Sequence, residues 1–225
     1  MKTVVITGAS RGIGLATANK FLENGWHVIG TFNRTVVSVV HPELVSIHLD
    51  ITSEESIAKA VEHIQRVAPQ IDALVNNAGV SSDAFENAPH MQTVRATFET
   101  NVFGLMTLTE KLLPLLVSNS RVVNVSSRYG AFSFPIDGLD STAYRMSKAA
   151  LNMYTRTLAF RLKKRGIIVS AIHPGWVKTA MGNSAATEKE KPTIEPEDAA
   201  NDIYNLVTND SASGEFWQFG KQREW

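Results

Sequence analysis

The sequence predicts an α/β fold with a doubly wound, mainly parallel sheet of about seven strands and helices on both faces. Short runs rich in Val and Ile are typical of strands buried on both faces, and segments of helical periodicity lie between most of them. The first run passes directly into a glycine-rich turn. Together these features indicate a single Rossmann-type domain over residues 1–225, with its ligand at the carboxyl ends of the strands.

Six segments are predicted strands and four are predicted helices, in near alternation. The strands are Thr3–Thr7, Trp26–Thr31, Leu44–Leu49, Ile71–Asn76, Arg121–Ser126 and Ile167–Ile172. The helices are Ile13–Asn24, Glu54–Val67, Met91–Val117 and Ala143–Lys164. The connection after Arg34 is too short and extended for a full helix. A polar segment without apolar periodicity predicts a mobile substrate loop at about 180–196.

Composition restricts the partners of the chain. Lys+Arg and Asp+Glu both number 22, so the zero net charge favours neither nucleic acid nor an anionic membrane. Cysteine is absent, which excludes disulfides, thiolate catalysis and Cys-ligated zinc, and no metal site is expected. The N-terminal apolar run is too short for an export signal, and the segment from Leu105 to Val117 is too short to span a bilayer. We therefore expect a soluble, cytoplasmic protein.

The glycine-rich turn has the chemistry of a phosphate site. Residues Thr7 to Gly14 read Thr-Gly-Ala-Ser-Arg-Gly-Ile-Gly between the first strand and the first helix. Glycines let the backbone turn sharply and approach a pyrophosphate, while the helix N-terminus presents unpaired N–H groups. A turn without a ligand is the alternative. The strand before the turn and the helix after it favour a dinucleotide.

The end of the second predicted strand bears on the choice of cofactor. An acidic residue there would bind the ribose of NAD, but the segment from Ile29 to Arg34 contains none. Arg34, together with Arg11 in the glycine turn, offers guanidinium groups for the 2′-phosphate of NADP. Arg34 as a solvated surface charge is the alternative. NADP(H) is therefore favoured and NAD(H) is possible.

A candidate acid/base pair lies on the last predicted helix. Tyr144 and Lys148 are four residues apart and share a helix face, so the lysine charge is expected to lower the pKa of the tyrosine. By itself such a pair is ordinary. Two neighbouring predicted strands end in polar residues at the edge where the nicotinamide would lie: one in the hydroxyls of Ser126 and Ser127, the other in Asn76-Asn77-Ala78-Gly79. Each of these residues could instead simply cap a strand end or loop.

Taken together, these motifs resemble the short-chain dehydrogenases/reductases. The matches are Thr7–Gly14, Asn76–Gly79, Asn101 within Asn-Val-Phe-Gly, Ser127, the Tyr-x-x-x-Lys of Tyr144 and Lys148, and Pro174-Gly175 with Thr179. They occur in the family's order across nearly the whole chain. Two departures are a longer spacing from Ser127 to Tyr144, which keeps Ser126 open as an alternative, and the short connection after Arg34.

The resemblance implies roles for these residues. Tyr144 would protonate the carbonyl oxygen, Ser127 would polarise it, Lys148 would bind the nicotinamide ribose and lower the pKa of Tyr144, and Asn101 would hold a water of the proton relay. The glycine turn and the resemblance together give the expected cofactor-binding residues, which are Gly8, Ser10, Arg11, Gly12, Ile13, Gly14, Asn33, Arg34, Asp50, Ile51, Asn77, Ala78, Gly79, Tyr144, Lys148, Pro174, Gly175, Val177 and Thr179.

The expected function is reversible transfer of hydride between NADP(H) and a carbonyl or secondary alcohol. The length and C-terminal sequence look like those of the small carbonyl reductases related to sniffer and to the bacterial C-factor protein. An NAD-dependent alcohol dehydrogenase and a dinucleotide-binding sensor are the alternatives. A homodimer through the two long helices is expected, and a tetramer is possible. Six candidates for the substrate pocket are Phe132, Phe134, Ile136, Tyr154, Trp176 and Met181.

Overall fold

The computed structural model describes residues 1–84, 86, 88–136, 141–209 and 211–225. Within these ranges the chain forms one eight-stranded sheet in the order β3-β2-β1-β4-β5-β6-β7-β8. The strands are β1 Thr3–Ile6, β2 His27–Phe32, β3 Leu44–His48, β4 Ile71–Asn76, β5 Leu116–Val125, β6 Ile168–Ile172, β7 Phe216–Gln218 and β8 Lys221–Arg223. All neighbouring pairs are parallel except β7 and β8. The predicted α/β fold is confirmed.

Seven α-helices accompany the sheet in the described part of the chain. They are α1 Gly12–Glu23, α2 Glu54–Val67, α3 Met91–Phe98, α4 Leu105–Leu112, α5 Thr142–Leu162, α6 Ala180–Ser184 and α7 Pro196–Thr208. No helix in these ranges is long and apolar enough to cross a membrane. The bounds predicted for α2 are those observed, because Ser53 caps its first turn by accepting from the N–H of Ser56 at 3.2 Å.

Two apolar cores lie on opposite faces of the sheet. One joins residues of α2, α4 and α5 to the strands, including Ile64, Leu108 and Leu158. The other packs α1 and α7 against the sheet through residues such as Phe21 and Ile203. The strands β1, β4 and β6 contribute to the centre of this two-sided core and are buried along most of their length. This burial explains why they read as continuous Val/Ile runs.

The predicted helix Met91–Val117 is wrong in two respects. A π-helical segment, Glu99–Gly104, separates α3 from α4, and the helical region ends with a 3₁₀ turn, Leu113–Leu115. Leu116, assigned to the helix, already begins β5 and pairs with Ile71. Apolar spacing does not separate a helix end from a buried strand start, and Pro114 is accommodated in the first positions of the 3₁₀ turn.

Two further regions bear on the predicted connections. Residues 33–43, between β2 and β3, contain no helix, as the short and extended connection predicted. The sequence pattern assigns no residues to β7 and β8, because each strand has three residues and is too short to be recognised as a run.

The order of the strands reverses between β1 and β4, which places the ligand-binding crevice of a doubly wound fold at that point of the sheet edge.

Candidate active site

One cavity of about 1390 Å³ lies along the carboxyl edge of the sheet. Every predicted cofactor-binding residue lines this cavity, and so does Ser127. The predicted set therefore converges on one place although its members span most of the chain. Asn101 is the predicted site residue that does not line it.

The glycine turn has the geometry that a phosphate group requires. Gly8 and Gly12 have φ of 69° and 54°, a region that favours glycine. At Gly14, a side chain would collide with the carbonyl of Gly8 and with the amide of Asn77. Arg11 precedes α1 without a side-chain cap, so backbone N–H groups of the first turn face the cavity end. A pyrophosphate of a dinucleotide fits this cradle.

Hydrogen bonds hold the ends of β1 and β4 in register at this turn. The Asn77 amide donates to the carbonyl of Thr7 at 2.8 Å and to that of Gly8 at 3.2 Å. The Thr7 hydroxyl accepts from the N–H groups of Asn77 and Ala78, both at 2.9 Å. Asn77 is therefore a structural brace of the glycine turn as well as a residue of the cavity wall.

Two guanidinium groups stand at the same end of the cavity. Arg11 and Arg34 are exposed and both line it, together with Phe32 and Asn33. The Phe32 ring packs edge-on against His48 with centroids 5.7 Å apart, and no carboxylate occupies this strand end. Asp50 also lines the cavity, and its hydrogen bonds from Thr52 hold the pKa of its carboxyl below the usual value, with a smaller contribution from Arg34.

At the other end, the structure brings Ser127 and Tyr144 together. Ser127 lies two residues after the end of β5. Its hydroxyl accepts from the N–H of Tyr129 at 3.2 Å and also hydrogen-bonds with Tyr144. The Ser126 hydroxyl instead donates to the Asn152 side chain, away from Tyr144. The geometry thus favours Ser127 over Ser126 as the hydroxyl beside the tyrosine.

The pKa of Tyr144 is shifted in the direction opposite to the one expected. Desolvation of the phenol raises it to about 12, and the hydrogen bond from Ser127 lowers it by less; Tyr129 and Asp83 raise it further. The residue as a whole is half-buried, but its hydroxyl lies among buried groups. Lys148 does not reverse this balance, so the expected lowering is wrong for this state. Tyr144 is protonated at neutral pH and suited to donate a proton.

Lys148 is a buried cation one helical turn from Tyr144. Its Nζ donates to the carbonyl of Val125 at 2.8 Å and lies 5.6 Å from the centroid of the tyrosine ring. Burial lowers the pKa of Lys148 to about 8, because the charged form loses hydration. The ammonium is therefore charged at neutral pH and begins to lose its proton within about one pH unit above it.

Asn101 connects three parts of the site without facing the cavity. Its amide donates to the carbonyl of Val80 at 2.9 Å and to the Ser147 hydroxyl at 3.0 Å, while its oxygen accepts from the N–H of Val80 at 2.8 Å. The side chain is fully buried and lies in the π-helical segment. These bonds tie the segment after β4 to helix α5. Both amide N–H groups are used by these partners, so a water of the relay, as the resemblance implied, would bind the side chain through the second lone pair of its oxygen.

Asp83 was missed by sequence reasoning. It is 2% exposed and lies next to the start of α5, where its carboxylate accepts from the N–H of Ala143 at 2.6 Å and of Tyr144 at 3.3 Å. The two segments are 60 residues apart in sequence. No local pattern marks such a long-range cap, because the usual signal is a capping residue immediately before the helix.

The segment after β6 forms one wall of the cavity. A bridge joins Val177 to Ile194, and the N–H of Lys178 donates to the carbonyl of Ile194 at 2.8 Å. The part between them contains α6 and contributes Met181, Ala185, Thr187 and Glu190 to the lining. The predicted substrate loop thus borders the cavity and is closed at its base; its mobility remains a prediction.

Half of the predicted substrate-pocket residues lie elsewhere. Phe134, Trp176 and Met181 line the cavity, whereas Phe132 and Ile136 are 93% and 83% exposed and do not. Tyr154 is also wrong: it is buried in the core on the other side of α5, and its hydroxyl donates to Glu110 at 3.0 Å. Apolar character alone does not tell which side of a helix or loop faces the ligand.

A crevice at the switch point of a doubly wound sheet, beside a glycine-rich turn, is where proteins of this fold class bind dinucleotides. The model of the short chain dehydrogenase family matches residues 2–190. The chain is 33% identical over 221 residues to serine 3-dehydrogenase of Agrobacterium fabrum, covering 90% of this chain and 86% of that protein. The chain belongs to the short-chain dehydrogenase family and is an oxidoreductase of that family.

Solved structures give the same assignment. The NADPH-bound carbonyl reductase from chicken fatty liver superposes with a TM-score of 0.89 at 27% identity, covering 100% of this chain and 99% of that one. Carbonyl reductase Sniffer of D. melanogaster gives a TM-score of 0.86 at 25% identity, with both chains covered completely. The predicted family and the resemblance to the sniffer-like reductases are confirmed.

Proposed function

We propose that the chain is an NADP(H)-dependent carbonyl reductase in which Tyr144 donates the proton to the carbonyl oxygen. The observation that carries this proposal is the placement of Ser127, Tyr144 and Lys148 together on the wall of the dinucleotide-sized cavity. A bound nicotinamide dinucleotide would supply the hydride. Two of the similar proteins are named carbonyl reductases, one of them with NADPH bound, which supports the reaction class and the cofactor.

The chain's own residues divide the remaining work. Ser127 holds one side of the carbonyl oxygen through its hydroxyl, and the protonated Tyr144 donates from the other as negative charge develops. The Lys148 ammonium has three N–H donors, one of which is used on Val125. The others are placed to bind ribose hydroxyls, and the positive charge stabilises the phenolate left after proton transfer.

Arg11 and Arg34 support NADP(H) over NAD(H). Both line the cavity at the end of β2, where a 2′-phosphate would be held by charge-assisted hydrogen bonds. Phe32 replaces the carboxylate that would repel this phosphate. Asn101 is proposed to fix Val80 and α5 through its contacts, and its side-chain oxygen would accept from the water of a proton relay.

A dimer through α4 and α5 is proposed as the assembly. Three apolar side chains of α5, Met146, Met153 and Phe160, recur every seven residues and are 50%, 55% and 82% exposed. Such a stripe on one helix face is typical of a surface covered by another helix. Light scattering of Phe160→Glu checks this, since the charge should convert the dimer into a monomer while the wild type remains dimeric.

The experiment that tests the function is a panel of ketones and aldehydes assayed with NADPH by loss of absorbance of the reduced nicotinamide. Turnover of at least one class in the wild type, and loss of it in Tyr144→Phe with NADPH binding intact, is the expected result. Binding of NADPH without turnover of any carbonyl in a broad panel would instead favour a dinucleotide-binding sensor.

A further inference from the structure

Asp83 reaches α5 from a different part of the chain. The residue before that helix, Ser141, has a left-handed backbone with φ of 45° and makes no side-chain cap. The cap is instead the Asp83 carboxylate, whose Oδ2 accepts from the N–H groups of Ala143 and Tyr144. One of the two peptide groups that it holds is therefore the backbone N–H of the proposed proton donor.

The segment that carries Asp83 is anchored at both ends. Val80 is bound on both its N–H and its carbonyl by Asn101, and Asp83 is bound to the first turn of α5. Asn101 also contacts Ser147 of α5. The segment from Val80 to Asp83 therefore joins the end of β4, which borders the cavity, to the helix that carries Tyr144 and Lys148.

The Asp83 carboxylate also has an electrostatic effect on its neighbour. It is 2% exposed, and within the described ranges its Oδ1 has no hydrogen-bond partner. In the described part of the chain, the groups that face Tyr144 are the hydroxyl of Ser127, the ring of Tyr129, the carboxylate of Asp83 and, one turn along α5, the ammonium of Lys148. The guanidinium of Arg145 lies 4.1 Å from the Tyr129 ring. Among these described groups Asp83 is an anion, and an anion opposes formation of the phenolate.

We propose that Asp83 is a positioning residue that fixes the first turn of α5 and whose buried negative charge disfavours the Tyr144 phenolate. This inference rests on the proposed function, because it concerns the same proton donor. A protonated phenol is the form needed to reduce a carbonyl, whereas oxidation of an alcohol needs the phenolate. Asp83 thus favours the state of the site that is competent for reduction.

The discriminating variant is Asp83→Asn, which keeps an acceptor oxygen for the helix and removes the charge. We expect the pKa of Tyr144 to fall, because the nearby negative charge that raises it is removed. At fixed pH below that pKa, alcohol oxidation should rise about three- to tenfold because more phenolate is present, while carbonyl reduction stays equal or falls. Loss of a purely structural contact would lower both rates together.

A matched control is Asp198→Asn, which removes an exposed carboxylate from the first turn of α7, a helix on the opposite face of the sheet from α5. It should leave both rates and their pH profiles unchanged. Asp83→Ala removes the cap as well as the charge, and is expected to lower the melting temperature and both rates. Equal oxidation rates and pH profiles in the wild type and Asp83→Asn, with the wild type active, would overturn the inference and leave the proposed function intact.

A second measurement applies if Asp83→Asn does not fold. The absorbance of tyrosinate is titrated in the wild type and in Tyr144→Phe, and the difference between them gives the ionisation of Tyr144. Ionisation above the ordinary value of about 10 is expected. Ionisation of Tyr144 at or below about 10 would overturn the inference, whereas absence of all carbonyl turnover in the wild type would overturn the proposed function instead.

Discussion

The two ends of the cavity act on a ligand by different physical means. At the glycine turn, backbone N–H groups and the exposed guanidiniums of Arg11 and Arg34 face water. Around Tyr144 and Lys148, burial raises the pKa of the phenol to about 12 and lowers the pKa of the ammonium to about 8, which in both cases favours the neutral form. Under the proposed function, exposed charges select the cofactor and desolvated groups control the proton.

Removal of the Tyr144 hydroxyl is expected to have the largest effect. Tyr144→Phe should lower turnover by ~10²-fold or more, the usual scale for general acid/base catalysis, because the ring and its packing are kept and the proton donor is lost. The Michaelis constant for NADPH should stay near that of the wild type. Steady-state kinetics check both values, and wild-type turnover in this variant would remove Tyr144 from the proposed mechanism.

At the exposed end, Arg11→Ala and Arg34→Ala test selection of the cofactor. Each lost charge-assisted contact to the 2′-phosphate should weaken NADPH binding by about 10- to 100-fold and leave NADH binding nearly unchanged. The effect should shrink at high salt because these side chains are exposed. Titrations of both cofactors at two ionic strengths measure this, and equal losses for NADPH and NADH would count against a phosphate site.

Phe32→Asp tests cofactor selection by adding a negative charge instead of removing a positive one. A carboxylate at the end of β2 should repel the 2′-phosphate and accept from the ribose of NAD, so the preference should shift toward NADH by about tenfold or more. The ratio of kcat/KM for the two cofactors is the measurement. A wild-type enzyme that is already more efficient with NADH would refute the cofactor proposal and leave the role of Tyr144 untouched.

At the buried end, Lys148→Met should weaken cofactor binding without destabilising the fold. We expect NADPH affinity to fall by about tenfold. Any change of reaction rate that occurs near pH 8 in the wild type should disappear, since burial lowers the pKa of Lys148 to about 8. The folded-state pKa of this lysine is depressed, so its charge opposes folding below pH 8 and less so as pH rises toward 10.5. The melting temperature at pH 7 should therefore hold or rise, and a large fall would contradict this account.

The last prediction concerns stability in acid rather than catalysis or cofactor binding. Burial lowers the pKa of His173 to about 3, with smaller contributions from Arg128 and Arg223, so the folded chain holds this imidazole neutral. The unfolded chain binds a proton below about pH 6.5, and stability should fall by up to about 1.4 kcal/mol per pH unit between there and pH 3. His173→Gln should reduce this slope in urea titrations; an unchanged slope would exclude His173 as its source.

Much of the site was predictable because its signals are local. The glycine turn, the end of β4 and the Tyr144–Lys148 spacing are short patterns that the parallel topology brings to one edge, and all of their cofactor residues line the observed cavity. The bounds of α2 were also predictable, because Ser53 marks its start.

The remaining features depend on contacts between distant segments. Asp83 caps a helix 60 residues away, and Leu116 is a strand residue because Ile71 pairs with it. The pKa of Tyr144 depends on burial, which helical spacing does not reveal, so the sequence led to the wrong direction. Tyr154 likewise has the composition of a pocket residue and faces the core.

The central claim is that Tyr144 is a protonated acid at neutral pH. It is tested most directly by the pH dependence of the two directions of the reaction from about pH 5 to about pH 7, at least one pH unit below the pKa of Lys148. With the chemical step limiting, kcat for carbonyl reduction should be constant, and kcat for alcohol oxidation should rise about tenfold per pH unit. A reduction rate that declines across this range, with an oxidation rate that levels off, would show that Tyr144 ionises near neutrality and would contradict the claim.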